Sequence, residues 1–185
     1  VSLTSFTNHE LYKECELEIP DNWAWGESYN VSLDELYTAC ETALKNGFTL
    51  AWGADVSEDG FSFSNGLAIV PDQSEIEVKG SDNKNFSDAG AEKLSDAFIN
   101  PTKEMVIDSS IRQNGYDNKT TTDDHGMHIV GLYTDQNGTK YFLVKNSWGT
   151  DNYPKGYLYV SEAYFKYKTI NIYLHKDGIY PELKD

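Results

Sequence analysis

The stretches Asp124-His-Gly-Met-His-Ile-Val-Gly131 and Val144-Lys-Asn-Ser-Trp-Gly149 decide how this chain folds. Each predicts a strand that ends in one polar residue, His125 in the first and Asn146 in the second. Strand alternation groups the neighbours by face: His125 with Met127, Ile129 and Gly131, and Asn146 with Phe142 and Val144. Both polar residues therefore end an apolar stripe that faces the interior.

The two strands flank a turn signal, Asp135-Gln-Asn-Gly138, and are expected to pair antiparallel. If Asn137-Gly138 forms a tight turn, Asn146 lies opposite Ile129, roughly 13 Å along the strand from His125 at about 3.3 Å per residue. A turn two residues earlier, or a bulge, would bring Asn146 closer to His125. All these registers keep the two side chains on one face, and the turn alone does not choose among them.

A histidine held by an asparagine amide is two-thirds of a Cys-His-Asn triad, because the amide fixes the tautomer of the imidazole. Trp148 is placed to cover the hydrogen bond between them and to exclude water. The alternative, in which His125 is a surface histidine and Asn146 a turn former, explains each residue alone but not the combination. Cys15 lies among acids and Cys40 on the apolar face of a helix, so neither has the context of a nucleophile.

Composition excludes several classes of function. The chain has 185 residues, which suits one domain or one lobe of a larger one, and a net charge of −15, which repels nucleic-acid phosphates. No apolar run is long enough to span a membrane. His125 and His128 do not have metal-ligand spacing, and no cluster completes a zinc site, so no metal is expected.

The remaining elements predict an α+β fold, helical first and antiparallel β later. Ser32 to Gly47 is the clearest helix, with a capping box formed by Ser32 and Glu35. A second helix is expected over Asp88 to Ile99 and a polar loop over Arg112 to Asp124. Further strands are expected at positions 17–23, 48–52, 66–70, 127–133, 141–146, 156–160 and 169–174. Six tyrosines are interpreted as half-buried sheet residues rather than a stacking surface: Tyr153, Tyr157, Tyr159, Tyr164, Tyr167 and Tyr173.

The His-Gly-Met-His-Ile-Val-Gly and Lys-Asn-Ser-Trp-Gly-Thr blocks, followed by Lys155-Gly-Tyr-Leu158, resemble the C-terminal lobe of papain-like cysteine peptidases. Earlier stretches narrow the resemblance to the aminopeptidase C/bleomycin hydrolase branch: Leu3 to His9, Leu17 to Trp23, Gly47 to Trp52 and Asp55 to Ser57. The resemblance covers nearly all of the chain. It departs from the family at Gly126, where alanine is usual, and in the short C-terminus.

The resemblance implies that residues 1–185 form a β-barrel-like C-terminal lobe with two or more helices, and that the N-terminal lobe carrying the nucleophilic cysteine is absent. It implies that His125 is the catalytic base, Asn146 its orienting partner and Trp148 their shield. The parent activity would be hydrolysis of peptides near the amino terminus, by a cytoplasmic enzyme that needs no cofactor and assembles as a homo-hexamer. This chain alone would be inactive. The alternative is a non-catalytic module that binds peptides.

Overall fold

A single ten-stranded mixed sheet organises the fold of the computed structural model, which describes residues 1–72, 76–79 and 92–179. Its strands are β1 Ser2–Thr4, β2 Glu14–Glu16, β3 Glu27–Asn30, β4 Leu50–Ala54, β5 Phe61–Ser62, β6 Leu67–Ala68, β9 His125–Thr134, β10 Lys140–Lys145, β11 Tyr157–Ser161 and β12 Thr169–Leu174. The order across the sheet is β2-β3-β1-β12-β4-β9-β10-β11-β6-β5. A separate pair joins β7 Glu77–Lys79 to β8 Glu92–Leu94. The α+β class is confirmed, although strands also precede the first helix.

The first helix, α1 Leu33–Lys45, confirms the prediction from its capping signals. Ser32 accepts from the backbone of Glu35, and the Glu35 side chain accepts in return from the backbone N–H of Ser32, 2.9 Å away. Gly47 follows at a φ of 83°, a conformation that favours glycine after a helix end. The apolar face of α1 packs on the sheet, where Tyr37 lies 5.2 Å from Phe142 between ring centroids.

Two further helices, α2 Ser109–Asp117 and α3 Glu162–Lys168, were not predicted. The expected polar loop over 112–124 is wrong in its first half, because α2 is capped by Asp108 and turns polar residues inward. Arg112 is fully buried, and its guanidinium donates to the Ser5 and Lys166 carbonyls. Tyr164 and Tyr167, expected in strands, belong to α3.

The helix predicted over 88–99 is wrong where it can be compared. Glu92–Leu94 is strand β8, and only Asp96–Phe98 forms a short 3-10 helix, capped by Ser95. The part before Glu92 lies outside the described residues. The strand predicted over 17–23 is also displaced, since β2 ends at Glu16. By contrast, β12 Thr169–Leu174 has the predicted bounds.

The pairing of β9 with β10 contains a bulge that the sequence did not locate. Lys140 lies opposite Thr134 and Leu143 opposite Gly131, but Val144 lies opposite Ile129, so Val130 is left over. If the register of Lys140 to Leu143 continued without a bulge and with Val130 paired, Asn146 would lie on the face of β9 opposite His125. This is because a shift of one residue reverses the side chains of a strand. Of the registers considered from the sequence, the structure contains the one with a bulge, and this register does keep His125 and Asn146 on one face. Gly131 lies on the outer face, against Leu143, and not with His125.

Candidate active site

His125 and Asn146 meet at one edge of the central strands. His125 is the first residue of β9, which lies between β4 and β10, and Asn146 directly follows β10. The backbone N–H of Asn146 donates to the carbonyl of Gly156 at 2.9 Å, which anchors the chain just past the strand. After the bulge at Val130, the register carries Asn146 to the face of β9 that holds His125.

A hydrogen bond joins the two side chains, with 2.8 Å between His125 Nε2 and Asn146 Oδ1. The backbone N–H of Ser147 donates to the same Oδ1 at 2.7 Å. Since only the amide oxygen can accept from a backbone N–H, this contact fixes the orientation of the amide. His125 Nε2 must then be the donor, which leaves Nδ1 as the basic nitrogen of the neutral ring.

Trp148 lies beside the imidazole, as the sequence predicted. Its ring centroid is 4.9 Å from that of His125, and the two planes are inclined by 34°. Phe61 and Phe63 pack edge-on against the indole at 5.8 Å and 5.5 Å. The indole is therefore held in place beside the imidazole by the core.

The surroundings of His125 favour the neutral imidazole. Burial lowers its pKa from the ordinary value, because a charged ring loses hydration, and the hydrogen bond with Asn146 opposes this shift. Asn146 is itself 7% exposed, and its Nδ2 has no hydrogen-bond partner among the described residues. A neutral ring with a fixed tautomer can accept a proton at Nδ1.

A cavity of about 310 Å³ opens beside His125, between β4, β9, β12 and the segment after β2. Asp21, Asp123 and Asn171 contribute polar groups to its wall. Burial, followed by the charges of Asp21 and Asp124, raises the pKa of Asp123 to about 6. None of the described residues that line the cavity is a lysine or an arginine. The cavity therefore favours a ligand that is a cation or a hydrogen-bond donor.

Sequence reasoning missed these acids because they lie in segments interpreted as turn and loop. Asp124 was visible next to His125, yet its role is local: it accepts from the backbone N–H of Val56 at 2.9 Å and from the Ser57 hydroxyl. Asp124 thus fixes the start of β9 and with it the position of His125. A run of two acids directly before the histidine was the available signal.

Both cysteines have surroundings that disfavour the thiolate. Cys15 donates its thiol to the Ser28 carbonyl at 3.4 Å, and burial followed by the charge of Glu27 raises its pKa. Cys40 is completely buried in the packed face of α1, which raises its pKa well above the ordinary value. The environments agree with the prediction from sequence, because a nucleophilic cysteine needs a lowered pKa.

The other histidines are placed away from this chemistry. His128 is exposed on the opposite face of β9, where its Nε2 lies 2.8 Å from the Thr49 hydroxyl. His175 stacks on Phe48 with 5.2 Å between ring centroids. Over the described ranges, no three His, Cys, Asp or Glu side chains come together as metal ligands, and no helix there is both long and apolar enough to cross a bilayer.

Comparisons with known proteins identify a family to which this chain is similar. Residues 68–175, more than half of the chain, match the family described as papain family cysteine protease. Cathepsin L1 of Drosophila melanogaster is 31% identical over 110 residues, which are 55% of this chain and 28% of that protein. Vignain of Ricinus communis is 57% identical over 35 residues, or 19% of this chain and 10% of that protein.

The structure of PepW from Lactobacillus rhamnosis HN001 superposes with a TM-score of 0.62 at 19% identity. The superposition covers 100% of this chain and 37% of PepW, which establishes a likeness of fold. The chain therefore spans well under half the length of each of these relatives. By its sequence match and its papain-like fold, the chain belongs to the papain family of cysteine proteases.

Proposed function

We propose that these 185 residues are the C-terminal lobe of a cysteine aminopeptidase of the aminopeptidase C/bleomycin hydrolase branch. His125 is the catalytic base, Asn146 holds it and Trp148 shields the pair. The observation that carries the proposal is the 2.8 Å hydrogen bond from His125 Nε2 to Asn146 Oδ1, with the amide orientation fixed by Ser147. A neutral partner suits a cysteine enzyme, in which the thiolate supplies the negative charge of the pair.

The nucleophile is supplied by a second lobe, on the same polypeptide or on another. Support comes from Cys15 and Cys40, since burial raises the pKa of both thiols. In the assembled enzyme the thiol of that lobe transfers its proton to His125 Nδ1, and its sulfur attacks the carbonyl carbon of the substrate. The proton then passes to the departing amine. The acyl group of the substrate remains bound to the sulfur as a thioester. Water hydrolyses the thioester with His125 as the base.

Preference for the amino terminus of the substrate is supported by the cavity beside His125. Asp21, Asp123 and the Asn171 amide line it, and its described wall contains no cation. A free α-ammonium carries the positive charge that this wall lacks, and its N–H groups can donate to the carboxylates. The net charge of −15 also attracts cationic peptides over longer distances.

The test uses alanine 7-amido-4-methylcoumarin and its N-acetylated form. The assembled enzyme, purified from its source cells through a tag on this chain, is expected to hydrolyse only the free amine. The 185-residue chain alone is expected to hydrolyse neither. His125→Ala should lower kcat of the assembled enzyme by about 10²–10⁴-fold. His128→Ala is the matched control, because that ring lies on the opposite face, and it should leave kcat unchanged.

Three results would count against the proposal. Turnover by the chain alone that is lost in Cys15→Ser would place the nucleophile within these residues. Equal cleavage of the acetylated substrate would remove the aminopeptidase assignment. Binding of the peptide without turnover by the assembled protein would favour the non-catalytic peptide-binding module. The homo-hexamer implied by the resemblance belongs to the same proposal, and the sedimentation coefficient of the assembled enzyme tests it.

A further inference from the structure

A second cavity, of about 170 Å³, lies on the outer face of the sheet and takes no part in the proposed chemistry. We call it the tyrosine cavity and define it by Phe98, Glu104, Tyr133, Asp135, Tyr141 and Tyr159. Tyr133 is eight residues along β9 from His125, or about 26 Å at 3.3 Å per residue. The volume of the tyrosine cavity suits one side chain rather than a peptide, since pockets for drug-sized ligands are several hundred Å³.

Three tyrosine rings form the floor of the cavity because they alternate with core residues along their strands. Tyr133 lies directly opposite Tyr141 in the pairing of β9 with β10, and Tyr159 extends from the neighbouring β11. The ring centroid of Tyr133 is 4.9 Å from that of Tyr159 and 6.5 Å from that of Tyr141. The planes are inclined by 46° and 52°, so the rings form a concave surface rather than a flat stack.

Two carboxylates complete the wall. Glu104 Oε2 accepts from the Val70 backbone N–H at 2.7 Å and from the Ser161 hydroxyl at 2.6 Å, which holds the carboxylate over the sheet. Asp135 Oδ1 accepts from the backbone of Asn137 and Thr139 in the hairpin loop. Its other oxygen, Oδ2, is buried and has no hydrogen-bond partner among the described residues. A buried acceptor without a donor is costly, and a donor that reached Oδ2 by displacing the side chains that now cover it would remove that cost.

The electrostatics of the cavity favour a cation. Its described wall carries Glu104 and Asp135 but no lysine or arginine. Burial, and then the charges of Glu104 and Asp135, raise the pKa of Tyr141 to about 12. The negative field that disfavours a phenolate there stabilises a positive charge in the same place. The faces of aromatic rings attract cations as well, most strongly where water is excluded.

We propose that the tyrosine cavity binds a primary alkylammonium group, with its nitrogen at the Asp135 carboxylate and its carbon chain between the tyrosine rings. A primary rather than a quaternary ammonium is required, because only N–H groups can donate to the unpartnered oxygen. The group can come from a lysine side chain or from a free alkylamine. This site is independent of catalysis, so its test needs no second lobe.

The test is an NMR titration of the 185-residue chain, observed at the methyl groups of Ala97 and Ile99, which line the cavity. The probes are n-butylammonium, its neutral isostere 1-butanol, tetramethylammonium, and Nα-acetyl-lysine N-methylamide. n-Butylammonium is expected to bind about tenfold more tightly than 1-butanol or tetramethylammonium. Binding by the lysine derivative as well assigns the site to lysine side chains, whereas binding by n-butylammonium alone assigns it to free amines.

Two variants test the contacts. Asp135→Asn retains an oxygen for the turn but removes the charge, and Tyr133→Leu removes one ring; each should weaken n-butylammonium binding by about tenfold. Asp177→Asn and Tyr12→Leu are the matched controls, since both side chains are exposed and line neither cavity. Equal binding of 1-butanol would mean that the cavity is merely apolar and would overturn the proposal. Equal binding of tetramethylammonium, or no effect of Asp135→Asn, would overturn the role of Asp135.

Discussion

Gly53 and Gly126 lie directly opposite each other in the pairing of β4 with β9, in the wall of the cavity beside His125. The two positions are not equivalent. A Cβ added to Gly53 would lie 2.5 Å from Asn171 Oδ1, whereas a Cβ added to Gly126 would have no atom within 4 Å. An added side chain at Gly53 would therefore displace the Asn171 side chain, whereas one at Gly126 would enter open space.

The paired glycines give a matched test of this difference. Gly53→Ala is expected to lower the free energy of unfolding by about 1–2 kcal/mol, because the buried Asn171 side chain must move. Gly126→Ala is expected to be neutral or to stabilise by about 0.5 kcal/mol, because it reduces the freedom of the unfolded chain. Urea denaturation of the two variants measures both values. Equal destabilisation by both would contradict the geometry of the cavity wall.

Removing Trp148 should change the titration of His125. Trp148→Ala admits water to the imidazole, so the burial that lowers the pKa of His125 is relieved and the pKa rises. The loss of packing against Phe61 and Phe63 should also cost about 2 kcal/mol of stability. NMR titration of the His125 ring measures the pKa. Trp148→Phe keeps a ring over the site and serves as the control; a pKa that rises equally in both variants would argue against shielding by the indole.

Substitutions of Asn146 should move the pKa of His125 in opposite directions. Asn146→Ala removes the hydrogen bond that raises the pKa of His125, so the pKa falls further. Asn146→Asp places a negative charge beside the ring, so the pKa rises. Asn146→Ala should also allow the neutral His125 ring to adopt both tautomers. Long-range ¹⁵N correlation spectra would detect this as mixed Nε2 and Nδ1 protonation. An unchanged Nε2-protonated tautomer in Asn146→Ala would show that another contact orients the ring.

Asp123→Asn should stabilise the protein above pH 6 by about 1–2 kcal/mol, allowing for the partial exposure of this carboxyl. Burial, and then the charges of Asp21 and Asp124, raise its folded pKa to about 6, well above the value near 4 of an unfolded chain. Between these values the folded protein binds a proton that the unfolded chain lacks. The wild type therefore gains stability as the pH falls from 6 to 4, and the advantage of the variant disappears.

Urea denaturation at pH 8, 6 and 4 measures this dependence on pH. Asp151→Asn is the control, because its side chain is exposed and it reports the effect of removing one unburied carboxylate. A stability difference between Asp123→Asn and the wild type that stays constant from pH 8 to pH 4 would show that charge burial is not its cause.

The elements that sequence reasoning identified are those with explicit local signals. The capping box of Ser32 and Glu35 marked α1, and apolar alternation marked β9, β10 and β12. Helix α2 was not predicted because its buried face shows no apolar periodicity. That face is built from Arg112, Gln113, Gly115 and Tyr116. Gly115 in fact allows the close approach of α3, since a Cβ there would lie 2.8 Å from Tyr167. Helix α3 was not predicted because tyrosine, judged by its propensity alone, favours strands.

The candidate site was partly predictable for a similar reason. His125, Asn146 and Trp148 lie in compact blocks whose residue types already indicate their contacts, and the structure brings all three together. Asp21 and Asp123 come from segments far apart in the chain and meet only because β2, β3 and the central strands enclose one cavity. Such a grouping depends on the full topology, which the local pattern does not contain.

Because Val130 is the extra residue of the bulge, β9 can be shortened by one residue without moving the functional groups. Because Val130 has no partner on β10, a chain lacking it would still pair Ile129 with Val144 and Gly131 with Leu143. The pairs of β4 with β9, which run from Leu50–Ile129 to Ala54–His125, would also be retained. A deletion at Val130 is thus compatible with both the hairpin loop and the His125–Asn146 pair.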